Sequence, residues 1–223
     1  MPLCDALVAL FDFYEQFTVN MPLACEPGCA TCCSVNVSVT SLETVYLRKH
    51  ALFREEEVVS QVQQAADRPH FIPSCTTNEQ AYCCLQKQNP PQESSSHAPG
   101  KCPLLDREGL CRVYTNRPFS CRAMLSTVKC ITDGKAEMMP FIYTVNIAMY
   151  QMIEHLDKKG TSGNLLDMLG ESSRTVANRE IPGFLVAPQE RVRFQRLLDK
   201  LAGLPVGAEQ LADFFPPGLF NVT

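Results

Sequence analysis

Four cysteines fall within nine residues of one another, Cys25, Cys29, Cys32 and Cys33 in CEPGCATCC, and no other stretch of the chain is as dense in reactive side chains. Thiolates are soft donors that suit zinc or iron-sulfur iron rather than magnesium or calcium. Pro27 and Gly28 lie inside the run and let the backbone curl so that several sulfurs can converge on one centre. A second group, Cys102, Cys111 and Cys121, follows at separations of nine and ten positions within KCPLLDREGLCRVYTNRPFSCRAML. This spacing says little alone. Joined to the first cluster it supplies three remote thiols, which a hairpin followed by a helix could bring up as a second jaw. The competing reading is buried, unligated thiol, since free cysteine is among the most buried residue types. A Pro-Gly loop gives unligated thiols no reason to crowd together.

Composition sets the frame for that chemistry. The chain has 223 residues, 45% of them hydrophobic and 20% charged, with 12 cysteines, 4 histidines and no tryptophan. That is an ordinary globular composition with enough length for one sizeable core. A formal charge of -4 offers phosphate backbones and anionic lipid no long-range attraction, so nucleic-acid binding is not expected. No apolar run reaches the roughly 20 residues of a membrane span, and residues 1–10 lack a basic secretory n-region. A cytoplasmic protein without membrane contact is expected. Its cysteines then read as metal ligands, because disulfide frameworks usually staple shorter, secreted chains.

Several elements must hold the two cysteine units in place. Leu7, Leu10, Phe11, Tyr14 and Phe17 recur at helical steps, predicting an amphipathic helix over 4–17, with Cys4 in its core face. Val35, Val37 and Val39 alternate as in a short strand, and Thr40 with Glu43 spells a capping box opening a helix through His50. Helices are also predicted over 55–67, 74–88, 164–169, 189–202 and 209–215. Residues 89–100, NPPQESSSHAPG, read as a surface loop or mobile linker. A turn at 106–109 between Leu104-Leu105 and 110–114 predicts a small hairpin, and Arg117-Pro118 opens a helix toward Val128. The apolar band over 136–157 is a buried central helix beginning near Pro140 and ended by Gly160 and Gly163. The expected architecture is therefore mainly α: a single helical domain with a small β-hairpin and a cysteine-rich metal-binding centre. Residues 1–130 form the metal-binding region, and residues 131–223 a helical scaffold packed on it.

The two cysteine units together resemble the zinc- or iron-chelating CxxCxxCC family, also called YkgJ-type cysteine-cluster proteins, to which flagellin lysine N-methylase is related. The resemblance rests on CEPGCATCC followed by a Val-rich segment and Glu43, and on CPLLDREGLCRVYTNRPFSCR. It spans about 100 residues, from Cys25 to Arg122. It implies metal coordination by cysteines of both parts, here Cys25, Cys29, Cys32, Cys33, Cys102, Cys111 and Cys121. Seven thiols exceed the four positions of a mononuclear zinc or one cubane cluster, so some are spectators, outer groups or ligands of a second metal. Adjacent cysteines reach one centre only with a strained backbone, so either Cys32 or Cys33 is expected to point elsewhere. Arg117 and Arg122 also match the family pattern, and either offset thiolate charge or form surface salt bridges. Cys75, Cys83, Cys84 and Cys130 fall outside the pattern, the first three best read as core. His97 is a weak candidate ligand, and His50, His70 and His155 have no partner spacing.

Two enzyme readings stand beside the metal-binding one. Cys25, Cys29 and Cys32 share the CxxxCxxC spacing of radical S-adenosylmethionine enzymes, but Thr31 stands where those usually carry an aromatic residue, and no strand-helix alternation is visible. Protein-lysine N-methylation follows by analogy from the flagellin methylase relation, yet no glycine-rich strand-turn-helix announces an S-adenosylmethionine site. The first choice is a metal or iron-sulfur protein with a structural, redox or metal-handling role, its partners a metal ion or cluster and a further protein. Three cysteines at x3 and x2 spacing, completed by Cys102 next to Pro103, are closer to iron-sulfur ligation than to paired C-x2-C zinc knuckles. The spacing thus favours [4Fe-4S], with Zn2+ a close second.

Overall fold

The computed structural model describes residues 2–26, 28–93, 97–130, 135–170 and 172–221. Residues 94–96 of the predicted linker and Pro27 of the cysteine loop lie outside these. Helix α1 (Pro2–Thr18) buries Leu7, Leu10, Phe11 and Tyr14, the face its spacing predicted, and Cys4 lies in the same core. Each such side chain contributes roughly 1.5–3 kcal/mol by leaving water. Its partner is α6 (Pro140–Leu156), which has proline in its first turn, where a missing N–H costs nothing. Val145, Ala148, Met149 and Met152 of α6 are buried against α1 and against α8 (Arg191–Ala202). Tyr14 donates to Asn146 Oδ1 at 2.6 Å, and Asn146 Nδ2 donates to Ala123 O at 3.2 Å. That buried pair joins α1, α6 and the short helix α5 (Phe119–Ala123).

A second core lies under the cysteines. Val35, Val37 and Val39 pack with Leu47 of α2 (Ser41–Leu47) and with Val58 and Val62 of α3 (Glu56–Ala66). Leu104, Val113 and the first residues of α7 (Leu165–Leu169) complete it. The remaining helix, α4 (Thr77–Leu85), packs on α6. The predicted capping box is present: Thr40 Oγ1 accepts from Glu43 N at 3.1 Å, and Glu43 Oε2 accepts from Thr40 N at 2.9 Å. Each core draws side chains from both sides of residue 130.

The largest sheet has strand order β1-β2-β3 and is antiparallel throughout: β1 (Ser38–Thr40), β2 (Thr161–Asn164) and β3 (Thr175–Ala177). Val39 pairs with Gly163, and Gly163 with Thr175. Gly160 and Gly163 thus do more than stop α6. A Cβ on Gly163 would stand 3.1 Å from Met168 Sδ and 3.2 Å from Arg174 O, so a side chain there would crowd the neighbouring strand. A small ribbon, β4 (Pro205–Val206) with β5 (Glu209–Gln210), precedes a 3-10 turn over Leu211–Phe214, where sequence spacing predicted a short helix. The hairpin predicted at 104–114 contracts to one antiparallel bridge, Leu105 with Cys111. No helix among the described residues is long and apolar enough to cross a membrane. The fold is mainly α with small β elements.

Candidate metal centre

The two cysteine units meet through their backbones. Cys102 N donates to Cys33 O at 3.1 Å, Ser34 pairs with Lys101, and Val35 N donates to Gly100 O at 3.2 Å. This close approach requires Gly100: its φ is +150°, and a Cβ there would stand 3.2 Å from Val35 Cγ1. Cys111 is carried on the Leu105 bridge by a turn that Asp106 closes, its Oδ1 accepting from Glu108 N at 2.9 Å and Leu110 N at 2.8 Å. Cys121 is carried by α5. Glu43 Oε1 accepts the Phe119 N–H at 2.7 Å, and Ser120 Oγ donates to Ser38 O. Cys102, Cys111 and Cys121 all rest, partly buried, on the second core.

Cys25, Cys29 and Cys32 are exposed. Their loop is held from the other side, where Ala24 N donates to Ser126 O at 2.8 Å and Lys129 Nζ lies 3.3 Å from Glu26 Oε1. The 126–130 segment is thereby held against the first cysteine loop, and Cys130 adds the smallest of the effects that disfavour the Cys25 thiolate. Cys130 falls outside the shared cysteine pattern, which gave it no role.

The electrostatics of the thiols follow from this crowding. Burial raises the Cys121 thiol well above its ordinary range, with Cys102, Cys111 and Cys32 adding to the shift, and pushes Cys102 up to about 11. Cys25 is also raised, by burial, against an opposing hydrogen bond to the Ser126 backbone; Cys29, Cys32 and Cys130 add to the rise. The interaction between the adjacent Cys32 and Cys33 thiols lowers Cys32 to about 6 and raises Cys33. A bound cation relieves this mutual repulsion by replacing the protons. The donors therefore fit a thiophilic metal in chemistry and in charge. Among the described residues no three Cys, His, Asp or Glu side chains already stand at ligand spacing, so a metal has to draw the sulfurs inward.

Other residues singled out by the sequence are used elsewhere. The Arg122 guanidinium meets Glu15, lies 4.3 Å from the Phe11 ring centroid and donates to Thr115 O and Arg117 O. Arg117 stacks on Tyr114 at 3.7 Å and also reaches Glu15. Both arginines clamp α1 to the second cysteine unit, and of the two roles considered for them the ion pairing is the one present. Cys83 is buried as expected of a core residue, but Cys84 is exposed and Cys75 half-buried. His97 stacks on Phe71 with centroids 4.8 Å apart. His70 and Asp167 form a buried pair at 3.0 Å, joined across 97 positions and so without any local signal.

A cavity of about 340 Å³ adjoins the thiols. Cys32, Cys33 and Cys121 line it together with Tyr150, Glu154 and Thr77. Glu43, Glu93 and Glu154 face it, without any Lys or Arg among its lining residues. Glu154 is pushed up to about 7 by burial, although Thr77 N and Asn78 N, both at 2.7 Å, favour its carboxylate.

Comparisons with curated proteins and with solved structures return no match. A family model described as CxxCxxCC, putative zinc- or iron-chelating domain, matches residues 24–141. The match contains both cysteine units, the backbone junction between them and Cys130. The chain belongs to the CxxCxxCC family of zinc- or iron-chelating domains.

Proposed function

We propose that the protein is a metal-handling or redox protein whose centre is held by thiolates of Cys25, Cys29, Cys32, Cys33, Cys102, Cys111 and Cys121. The observation that carries this is the meeting of two remote units: Cys33 is hydrogen-bonded to Cys102 through the backbone, and Cys102 and Cys121 both act electrostatically on its thiol. An iron-sulfur cluster, [4Fe-4S], is the preferred occupant and Zn2+ the second. Such a cluster supplies one-electron redox chemistry, whereas zinc supplies a fixed charge and a staple. The chain's own part is to converge the thiols and shield the inner ones on the Leu104 and Val113 core. A reducing cytoplasm is the compartment this reading requires.

Exposure of Cys25, Cys29 and Cys32 supports exchange of metal with solvent or a partner protein over a purely structural staple, whose thiolates are normally enclosed. The test is anaerobic purification followed by elemental analysis and an absorption spectrum. Stoichiometric iron and sulfide with a broad visible band supports the cluster. Stoichiometric zinc and a colourless protein replaces it with the zinc form. Absence of bound metal under both anaerobic and zinc-supplemented conditions overturns the reading.

A further inference from the structure

Among the described residues three carboxylates are buried: Glu43, Glu154 and Asp167. Asp167 has its counter-charges, meeting His70 on one oxygen and Arg174 on the other. Glu43, 4% exposed, and Glu154, 6% exposed, have no Lys, Arg or His within ion-pair distance among the described residues. Both line the cavity beside the thiols. What holds them is neutral. Thr40 N, Thr40 Oγ1 and Phe119 N donate to Glu43, and Thr77 N and Asn78 N donate to Glu154. Each carboxylate accepts on both of its oxygens, the pattern of an ionised acid, since a neutral acid donates through one of them. Amide donors fix these groups in place but supply no opposite charge. Buried charges without a counter-ion are costly, and here both face open space.

The rest of the lining says what balances them. Val37, Val39, Phe71, Ile153 and Tyr150 give the cavity apolar and aromatic walls. Neither Lys nor Arg lines it, and a third carboxylate, the exposed Glu93, does so with its Oε2 accepting from Ser74 N at 3.3 Å. An anion finds no opposite charge there. A bare metal ion is a poor fit to these carboxylates, because no three donors among the described residues stand at ligand spacing, and Glu43 and Glu154 are pinned by backbone N–H groups rather than free to converge. An ammonium fits on each count: it brings N–H donors to the carboxylates, its charge is attracted by the Phe71 and Tyr150 rings, and its apolar body suits the valine and isoleucine walls. The volume, about 340 Å³, is that of a small-molecule pocket.

We propose that this cavity binds a small organic cation, an ammonium group on a short apolar or aromatic body, with Glu154 and Glu43 as its counter-charges and Glu93 as an exposed attractor. The recognition is by carboxylates and rings, not by thiols, although Cys32, Cys33 and Cys121 also line the cavity. The inference therefore does not rest on the metal-centre reading. It places an organic ligand next to the cysteine units and gives the two unpaired buried carboxylates a use.

The test uses the full chain as purified anaerobically, at a pH above about 7, where Glu154 is ionised. The probe is benzylamine, with benzyl alcohol and benzoate as its neutral and anionic counterparts, followed by calorimetry and by backbone amide NMR shifts. Benzylamine is expected to saturate at one equivalent, to bind about tenfold or more tighter than benzyl alcohol, and to shift the amides of Thr77, Asn78 and Phe119, while benzoate does not bind. Glu154→Gln keeps the size of the side chain and is expected to weaken benzylamine about tenfold or more. Glu93→Gln changes an exposed residue without risk to folding and is expected to weaken it a few-fold. Equal binding of benzylamine and benzyl alcohol, or saturation by neither, overturns the proposal. Unchanged benzylamine affinity in Glu154→Gln that melts as the unsubstituted chain does overturns it too; should that variant fail to fold, the comparison of probes and Glu93→Gln decide. Metal content of the same sample keeps the two readings apart: benzylamine binding without metal supports this inference and not the metal centre, and metal without discrimination among the probes does the reverse.

Discussion

The inner and outer cysteine units are held by different forces. Cys102, Cys111 and Cys121 sit on a hydrophobic core, so their positions come from packing that exists before any metal arrives. Cys25, Cys29 and Cys32 sit on an exposed loop fastened by the Ala24–Ser126 hydrogen bond and the Lys129–Glu26 ion pair. A backbone hydrogen bond contributes about 1 kcal/mol net and an exposed ion pair less, against several kcal/mol for a buried aromatic. The backbone of the inner unit is therefore fixed by packing, and the outer depends on what it binds. Metal affinity should differ accordingly, since ordering a loose loop subtracts from binding energy.

The largest effect is expected from the support of the inner unit. Phe119 is fully buried, with ring centroids 4.9 Å from Tyr14 and 4.8 Å from Tyr150, and it begins the helix that carries Cys121. Phe119→Ala should cost about 3–5 kcal/mol in denaturant unfolding and loosen Cys121 with it. A loss below 1 kcal/mol would mean that the inner unit does not depend on packing. Next comes Glu43, which is buried and accepts from Thr40 and Phe119. Glu43→Ala leaves the Phe119 N–H unpaired and should cost about 1–3 kcal/mol, read by thermal melting.

Metal removal should separate the two units with less effect on the whole. Chelation is expected to speed hydrogen exchange over 22–34 and 126–130 far more than in α1, α6 and α8, with helix content retained. Uniform exchange throughout would erase the contrast. A further effect concerns pH. Glu154 keeps its proton up to about 7 in the folded chain, whereas the unfolded carboxyl releases it near 4.5. Between those values the native state binds more protons, so this group makes stability fall as pH rises through that window. Glu154→Gln should flatten that part of the profile; an unchanged slope would remove Glu154 as its source.

Local signals in the sequence were legible wherever one element carries its own instructions. The heptad-like face of α1, the Thr40–Glu43 capping box and Pro140 at the start of α6 all appear as expected. The three-stranded sheet was not legible, because β2 is the polar run Thr161–Asn164 and becomes a central strand by pairing both with β3 and with β1, over a hundred positions away. The Arg122–Glu15 contact and the His70–Asp167 pair likewise join residues that no local spacing relates. In the candidate site, residue type and spacing pointed to the cysteines. Their division into inner and outer sets depends on which sulfurs lie over the core, a matter of tertiary packing. The junction of the 126–130 segment with the first cysteine loop, through Ala24 N and Ser126 O, likewise has no local signal.

The central claim is that the two remote cysteine units serve one metal-binding region. Metal content per chain after anaerobic purification, compared among the unsubstituted protein, Cys29→Ser and Cys121→Ser, tests it most directly. The account predicts bound zinc or iron in the first and reduced content in both variants, one from each unit. Full occupancy in both variants would contradict it.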